Sequence, residues 1–236
     1  MASVDRLRQL CEILLHEVRP GTWVHETYVR GVRAYVFYRL EQSEVARRQA
    51  AEHFSLPDEL PVFRFLLTLP LNVGVPVRSL AERERKVLGQ LPPGSVRFQG
   101  GTVERLAAVP LRADLAVVSA RSLSKRVMAR AGRLCAYMTT GVWVRAPRVD
   151  SLRVLESQSL PAGVILEERE GDPRLLVAPR HLNVVAQTPS GWRCMEQIYR
   201  SLNTASATSD RSQSAHSLSA GVGSNTWGPR KAFSSS

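Results

Sequence analysis

The chain has 236 residues, 44% of them apolar, with 32 basic and 21 acidic side chains and a formal net charge of +11. That length and apolar content suit one large domain or two small ones, and they exclude a wholly disordered chain, a collagen-like repeat and a small disulfide scaffold. Three widely spaced cysteines, Cys11, Cys135 and Cys194, form no CxxC pair, the usage of a reducing compartment where a buried thiol is a small hydrophobe.

Residues 3–18 carry the clearest helical pattern: Val4, Leu7, Cys11, Leu14, Leu15 and Val18 recur at i, i+3, i+4, with Ser3 as N-cap and Asp5 in the first turn. This charged start is not a secretory leader, and no window of 18 apolar residues occurs, so no stable transmembrane insertion is expected. Pro20-Gly21 stops the helix. A second helix is expected from Tyr28 to Leu40, with Val29, Val32, Val36 and Leu40 on one stripe, although the run also alternates as a strand. Ser43 heads a third helical run, SEVARRQAAEHF, over residues 43–54.

Four prolines punctuate SLPDELPVFRFLLTLPLNVGVPV, residues 55–77. Between Pro61 and Pro70 the eight residues VFRFLLTL are too few to span a bilayer, so they read as a short buried helix or a docking element. From about residue 94 the texture changes. SVRFQGGTVERLAAV reads as a hairpin turning at Gly100-Gly101. LRADLAVVSA follows, then a basic helix over 122–138, further short elements in GVWVRAP, LRVLESQSLPAGVILEE and RLLVAPRHLNVVA, and a last helix at 191–202. Residues 204–236 are rich in Ser, Thr, Ala and Gly and read as a disordered tail. The fold class expected is α+β: a mostly helical N-terminal half, mixed short strands and helices in the C-terminal half, and the disordered tail. The expected divisions are 1–90, 91–203 and 204–236.

The five histidines, His16, His25, His53, His181 and His216, show no metal-ligand spacing, so neither a metal site nor a cofactor is expected. Cys135 and His181 make a nucleophile pair only on paper, since nothing around Cys135 lowers its pKa. Gly100-Gly101 lacks the Lys-Ser/Thr of a phosphate loop. The chain is therefore read as a non-enzyme.

Two surfaces are candidates for binding. Lys125, Arg126, Arg130 and Arg133 share much of one helix face and could engage RNA phosphate or an acidic partner. SEVARRQAAEHFSLPDELPVF only superficially follows a helix-turn-helix, since Ser55 stands where glycine is usual and Pro57 and Pro61 would damage the second helix. Leu56 and Leu60, set by Pro57, are either apolar knobs for a partner's groove or part of the chain's own core.

The motif LPDEL at 56–60, followed by FRFLLTLPLNVG at 63–74, resembles the F-box-like region of the RNA-silencing suppressors of plant poleroviruses and enamoviruses. LRADLAVVSARS at 111–122 and LESQSLPAG at 155–163 resemble the family's later segments in the same order, and 29 arginines against three lysines suit a GC-rich genome or a reading frame overprinted on another gene, the latter as in that family. In that family a further proline follows the motif; Pro70 stands slightly early for it and Pro76 slightly late. The resemblance implies a viral suppressor of host RNA silencing that hijacks a ubiquitin ligase. The Leu-Pro motif, here Leu56, Pro57 and Leu60 with Pro70, would recruit a plant Skp1-type adaptor of the cullin ligase. Other surfaces would engage Argonaute and mark it for degradation. The implied location is the host cytoplasm, with the nucleus or the periphery of endomembranes as further sites. The alternative is a basic RNA-binding protein that sequesters small RNA or coats viral RNA.

Overall fold

The computed structural model describes residues 4–15, 18–53, 55–145, 150–167, 172–180 and 188–216. His16, His181, Phe54 and residues 217–236 of the expected tail lie outside them, as do residues 3 and 16–17 of the first expected helix. The described chain mixes helices with two sheets, and it divides into two compact units, each drawn from separated stretches of sequence.

The first unit comprises the described residues within 1–39, 113–183 and 214–216. It holds α1 (Val4–Leu15), β1 (Trp23–Val29), β2 (Val32–Leu40), β6 (Leu111–Ala120), α5 (Lys125–Leu134), β7 (Thr139–Val144), α6 (Ser151–Gln158), β8 (Gly163–Leu166) and β9 (Arg174–Val177). Its six-stranded sheet runs β1-β2-β6-β7-β8-β9. β6, β7 and β8 are parallel neighbours joined through α5 and α6, the crossover connection that parallel strands require. Both faces of such central strands are covered, so β7 is buried at every position from Thr139 to Val144. On one face Leu7, Leu10, Cys11 and Leu14 of α1 pack against Phe37, Leu115, Val117, Trp143 and Ile165. Gly141 and Gly163 are register partners beneath Leu14: a Cβ on Gly141 would collide with the Leu14 side chain, and one on Gly163 would collide with Pro179 and crowd Leu14. Two adjacent glycines thus make the hollow that seats α1.

The N-terminal half is not mostly helical. The helix expected over Tyr28–Leu40 is the hairpin of β1 and β2, paired antiparallel from Trp23↔Tyr38 to Val29↔Val32. Arg30 and Gly31 both take positive φ, 52° and 74°, the two-residue turn whose twist suits a hairpin. The stripe Val29, Val32, Val36 misled because Val36, Phe37 and Tyr38 are all buried, so apolar residues occupy both faces and blur the period-two signal.

The second unit comprises residues 40–112 and 184–213. Here α2 (Gln42–Ala50), α3 (Leu60–Thr68), α4 (Glu82–Leu88) and α7 (Pro189–His216) accompany a three-stranded sheet ordered β3-β5-β4, formed by Gly74–Pro76, Thr102–Arg105 and Val96–Gln99. The expected Gly100-Gly101 hairpin joins β4 and β5, with both glycines at positive φ. α2 begins one residue before Ser43, with Glu41 at the N-cap position. α3 is apolar on two sides. Val62, Phe63 and Leu66 join Leu56, Ala107 and Trp192, whereas Phe65 joins Leu69, Leu80, Leu88 and Val103. The helix expected over 191–202 is the start of α7, which continues to His216 and so takes in residues 204–216 of the stretch expected to be a disordered tail.

Candidate functional site

Leu-Pro-Asp-Glu-Leu is built into the second unit by α7. Residues 55–59 run without regular structure into α3, where Leu60 is the first helical residue and Pro61, which has no N–H to satisfy, follows it. Four residues of one α7 face, at i, i+3, i+4 and i+7, hold this approach. The Glu196 carboxylate accepts the Leu56 backbone N–H at 2.8 Å, and the Arg200 guanidinium donates to the Leu56 carbonyl at 2.7 Å. Arg193 donates to Asp58 at 2.7 Å and Gln197 donates to its other carboxylate oxygen at 3.3 Å. Partial burial by itself would raise the Asp58 carboxyl, but the Arg193 and Gln197 hydrogen bonds outweigh it and hold the group below the usual aspartate range.

Beneath the motif lies a buried ionic cluster. Arg48, 1% exposed, donates to Glu196 at 2.6 and 3.0 Å, to Glu44 at 2.6 Å and to the Ala108 carbonyl at 3.2 Å. Arg47 adds a second cation on Glu44 at 2.7 Å. Burial alone would lower the proton affinity of Arg48; the bonds to Glu196 and Glu44 outweigh it, so that affinity is raised. Arg48 also stacks over Tyr199 of α7, with its guanidinium carbon 5.2 Å from the ring centroid. The cluster ties α2, the motif and α7 to one another through groups that cannot be solvated.

The four motif residues do not share one environment. Leu56 is 1% exposed and packs with Phe63 and Trp192, whose rings lie 5.9 Å apart, so it is core rather than an outward knob. Pro57 and Leu60 are half-buried, and Pro70, beyond the end of α3, is exposed. Leu71 and Val73 just after it are 42% and 52% exposed. The outward apolar surface therefore falls at Pro57, Leu60 and Pro70–Val73.

In the first unit, Ser124 caps α5 by accepting the Val127 N–H. Met128, Ala131 and Leu134 face inward, whereas Lys125, Arg126, Arg130 and Arg133 are all exposed. None of these four forms an ion pair among the described residues. The spacing read from the sequence thus gives one basic helix face. Arg193, Glu196, Gln197 and Arg200 were not singled out from the sequence. Their i, i+3, i+4, i+7 recurrence on a helix was a legible signal of a polar face with work to do, but their partners lie some 140 residues away.

Chemistry-bearing groups elsewhere are muted. Burial, with Asp114 and Glu12 nearby, pushes the Cys11 thiol up to about 12, and burial also raises Cys135, whose thiol donates to the Ala131 carbonyl. No cluster of His, Cys, Asp and Glu suited to a metal ion, and no helix long and apolar enough to cross a membrane, occurs among the described residues. No family model, curated protein or solved structure matches this chain.

Proposed function

We propose that the chain is a viral suppressor of host RNA silencing, a non-enzymatic F-box-like adaptor joining a plant Skp1-type protein, and through it a cullin ubiquitin ligase, to Argonaute. The observation that supports this reading is the presentation of the Leu-Pro motif. An extended approach, clasped by α7, enters a proline-started helix and leaves Pro57, Leu60 and the exposed Pro70–Val73 stretch outward. Leu56 has a different role from the one the motif suggests: it anchors the segment in its own core, and the partner contact passes to Pro57, Leu60 and Pro70. Such partly exposed apolar groups, fixed in place before binding, lose little freedom on docking.

The test is a pull-down of purified plant Skp1-type protein by the wild-type chain and by Pro57→Ala/Leu60→Ser, with thermal melts of both. Capture by wild type and a loss of about tenfold or more in an equally stable variant is expected. Failure of the wild type to capture the adaptor sinks the reading. Leu56→Ala is unsuited to this purpose, because a cavity at a core leucine costs about 2–5 kcal/mol whatever the function.

A second reading, sequestration of RNA, is favoured by one observation: the exposed cations Lys125, Arg126, Arg130 and Arg133 on α5 carry no ion-pair partner among the described residues. Its salt dependence sets it apart from the first.

A further inference from the structure

Within the first unit, α5 and α6 enclose a groove of about 300 Å³. Leu123, Met128, Ala129 and Leu160 give it an apolar lining. Lys125 stands on the α5 rim, and the Arg153–Glu156 ion pair, 2.6 Å, stands on the α6 rim. The two flanks differ in chemistry. Outward from Lys125 and Ala129, α5 presents Arg126, Arg130 and Arg133, all exposed and without carboxylate partners among the described residues. Outward from Arg153 and Glu156, α6 presents Leu152 and Leu155, 59% and 60% exposed. Along α5 the groove side is low: Ala129 is small and exposed, and a Cβ placed on Gly132 would meet nothing within 4 Å. Another backbone can therefore come close.

We propose that this groove docks an amphipathic helix of a partner protein, apolar along the ridge it inserts and acidic along the flank that faces α5. A helix laid there sets its ridge against Met128, Ala129 and Leu160, covers Leu152 and Leu155, and brings carboxylates to Arg126, Arg130 and Arg133. Charge complementarity selects this occupant. A second copy of the chain would carry the same arginine face and the same excess of +11 into the contact, and like charges repel. An anionic membrane is flat and leaves a concave groove unfilled. RNA would engage the arginines while leaving the two leucines and the groove in water. The site uses none of residues 56–73, so it stands or falls independently of the adaptor reading.

The test is fluorescence anisotropy on the full chain with a labelled synthetic helix about four turns long. The peptide carries Leu and Phe at i, i+3, i+4 and i+7 and Glu elsewhere, and a control replaces Glu by Lys. The Glu peptide is expected to bind about tenfold or more tightly than the Lys peptide. Ala129→Trp, which fills the groove from an exposed position, should weaken it about tenfold with an unchanged melt. Lys125→Glu/Arg126→Glu should shift the preference toward the Lys peptide. Equal binding of the two peptides, or indifference to Ala129→Trp, overturns the proposal. So does tighter binding to phosphatidylserine vesicles or to oligouridine that ignores Ala129→Trp.

Discussion

His53 shows how one residue's surroundings become a property of the fold. Its imidazole sits beside the Arg48 cluster with Nε2 buried and without a hydrogen bond among the described residues; burial first, and the Arg48 charge second, hold its pKa below the usual 6.5. Burial lowers His25 in the same direction against the pull of Glu26. Both are favoured as neutral groups in the folded chain, whereas in the unfolded chain they take up protons as the pH falls through about 6.5. The unfolded state then binds more protons, so stability falls from about pH 7 toward pH 5. Urea midpoints measured across that range should drop, and His53→Gln should flatten the drop. A midpoint that does not move between those pH values would show that neither histidine is held neutral. Leu56 carries the complementary lesson: in the sequence it reads as either a docking knob or a core residue, and in the fold it is a core residue on Trp192.

At the level of elements, α7 matters most to the motif. Glu196 serves two masters, taking two bonds from Arg48 and one from the Leu56 backbone. Glu196→Ala strips the buried guanidinium of one carboxylate and leaves the Leu56 N–H without its acceptor. A loss of about 3–5 kcal/mol is expected, read from denaturant unfolding. A change under about 1 kcal/mol would mean that the cluster is hydrated and the clasp weak. Elements were legible where one face alone is apolar. The helical stripe of α1, the Gly100-Gly101 hairpin and the amphipathic α5 are all visible in the residues. The β1–β2 hairpin was not, because β2 is buried on both faces and its turn is Arg30-Gly31 rather than an Asn-Gly or Asp-Gly pair. Nor was the parallel run of β6, β7 and β8: hydrogen bonds between strands separated by a whole helix leave no local periodicity.

Over the whole molecule, the +11 charge sets the terms on which any anionic partner is met. If α5 binds RNA, the affinity for oligouridine should fall steeply with salt. Replacing Arg126, Arg130 and Arg133 together by Gln should reduce the slope of log K against log salt by about two, at about 0.7 per phosphate neutralised. An unchanged slope would remove α5 from any RNA contact. The amino-acid sequence by itself determined the basic excess, the one-sided helices, the tight glycine turn and the place of the Leu-Pro motif, because each depends on residue types a few positions apart. Only the tertiary structure decided that Leu56 turns inward, that α7 clasps the motif, that Gly141 and Gly163 seat Leu14, and that a groove opens between α5 and α6. Those outcomes rest on burial and on hydrogen bonds between residues far apart in the chain, and neither exists until the segments have packed.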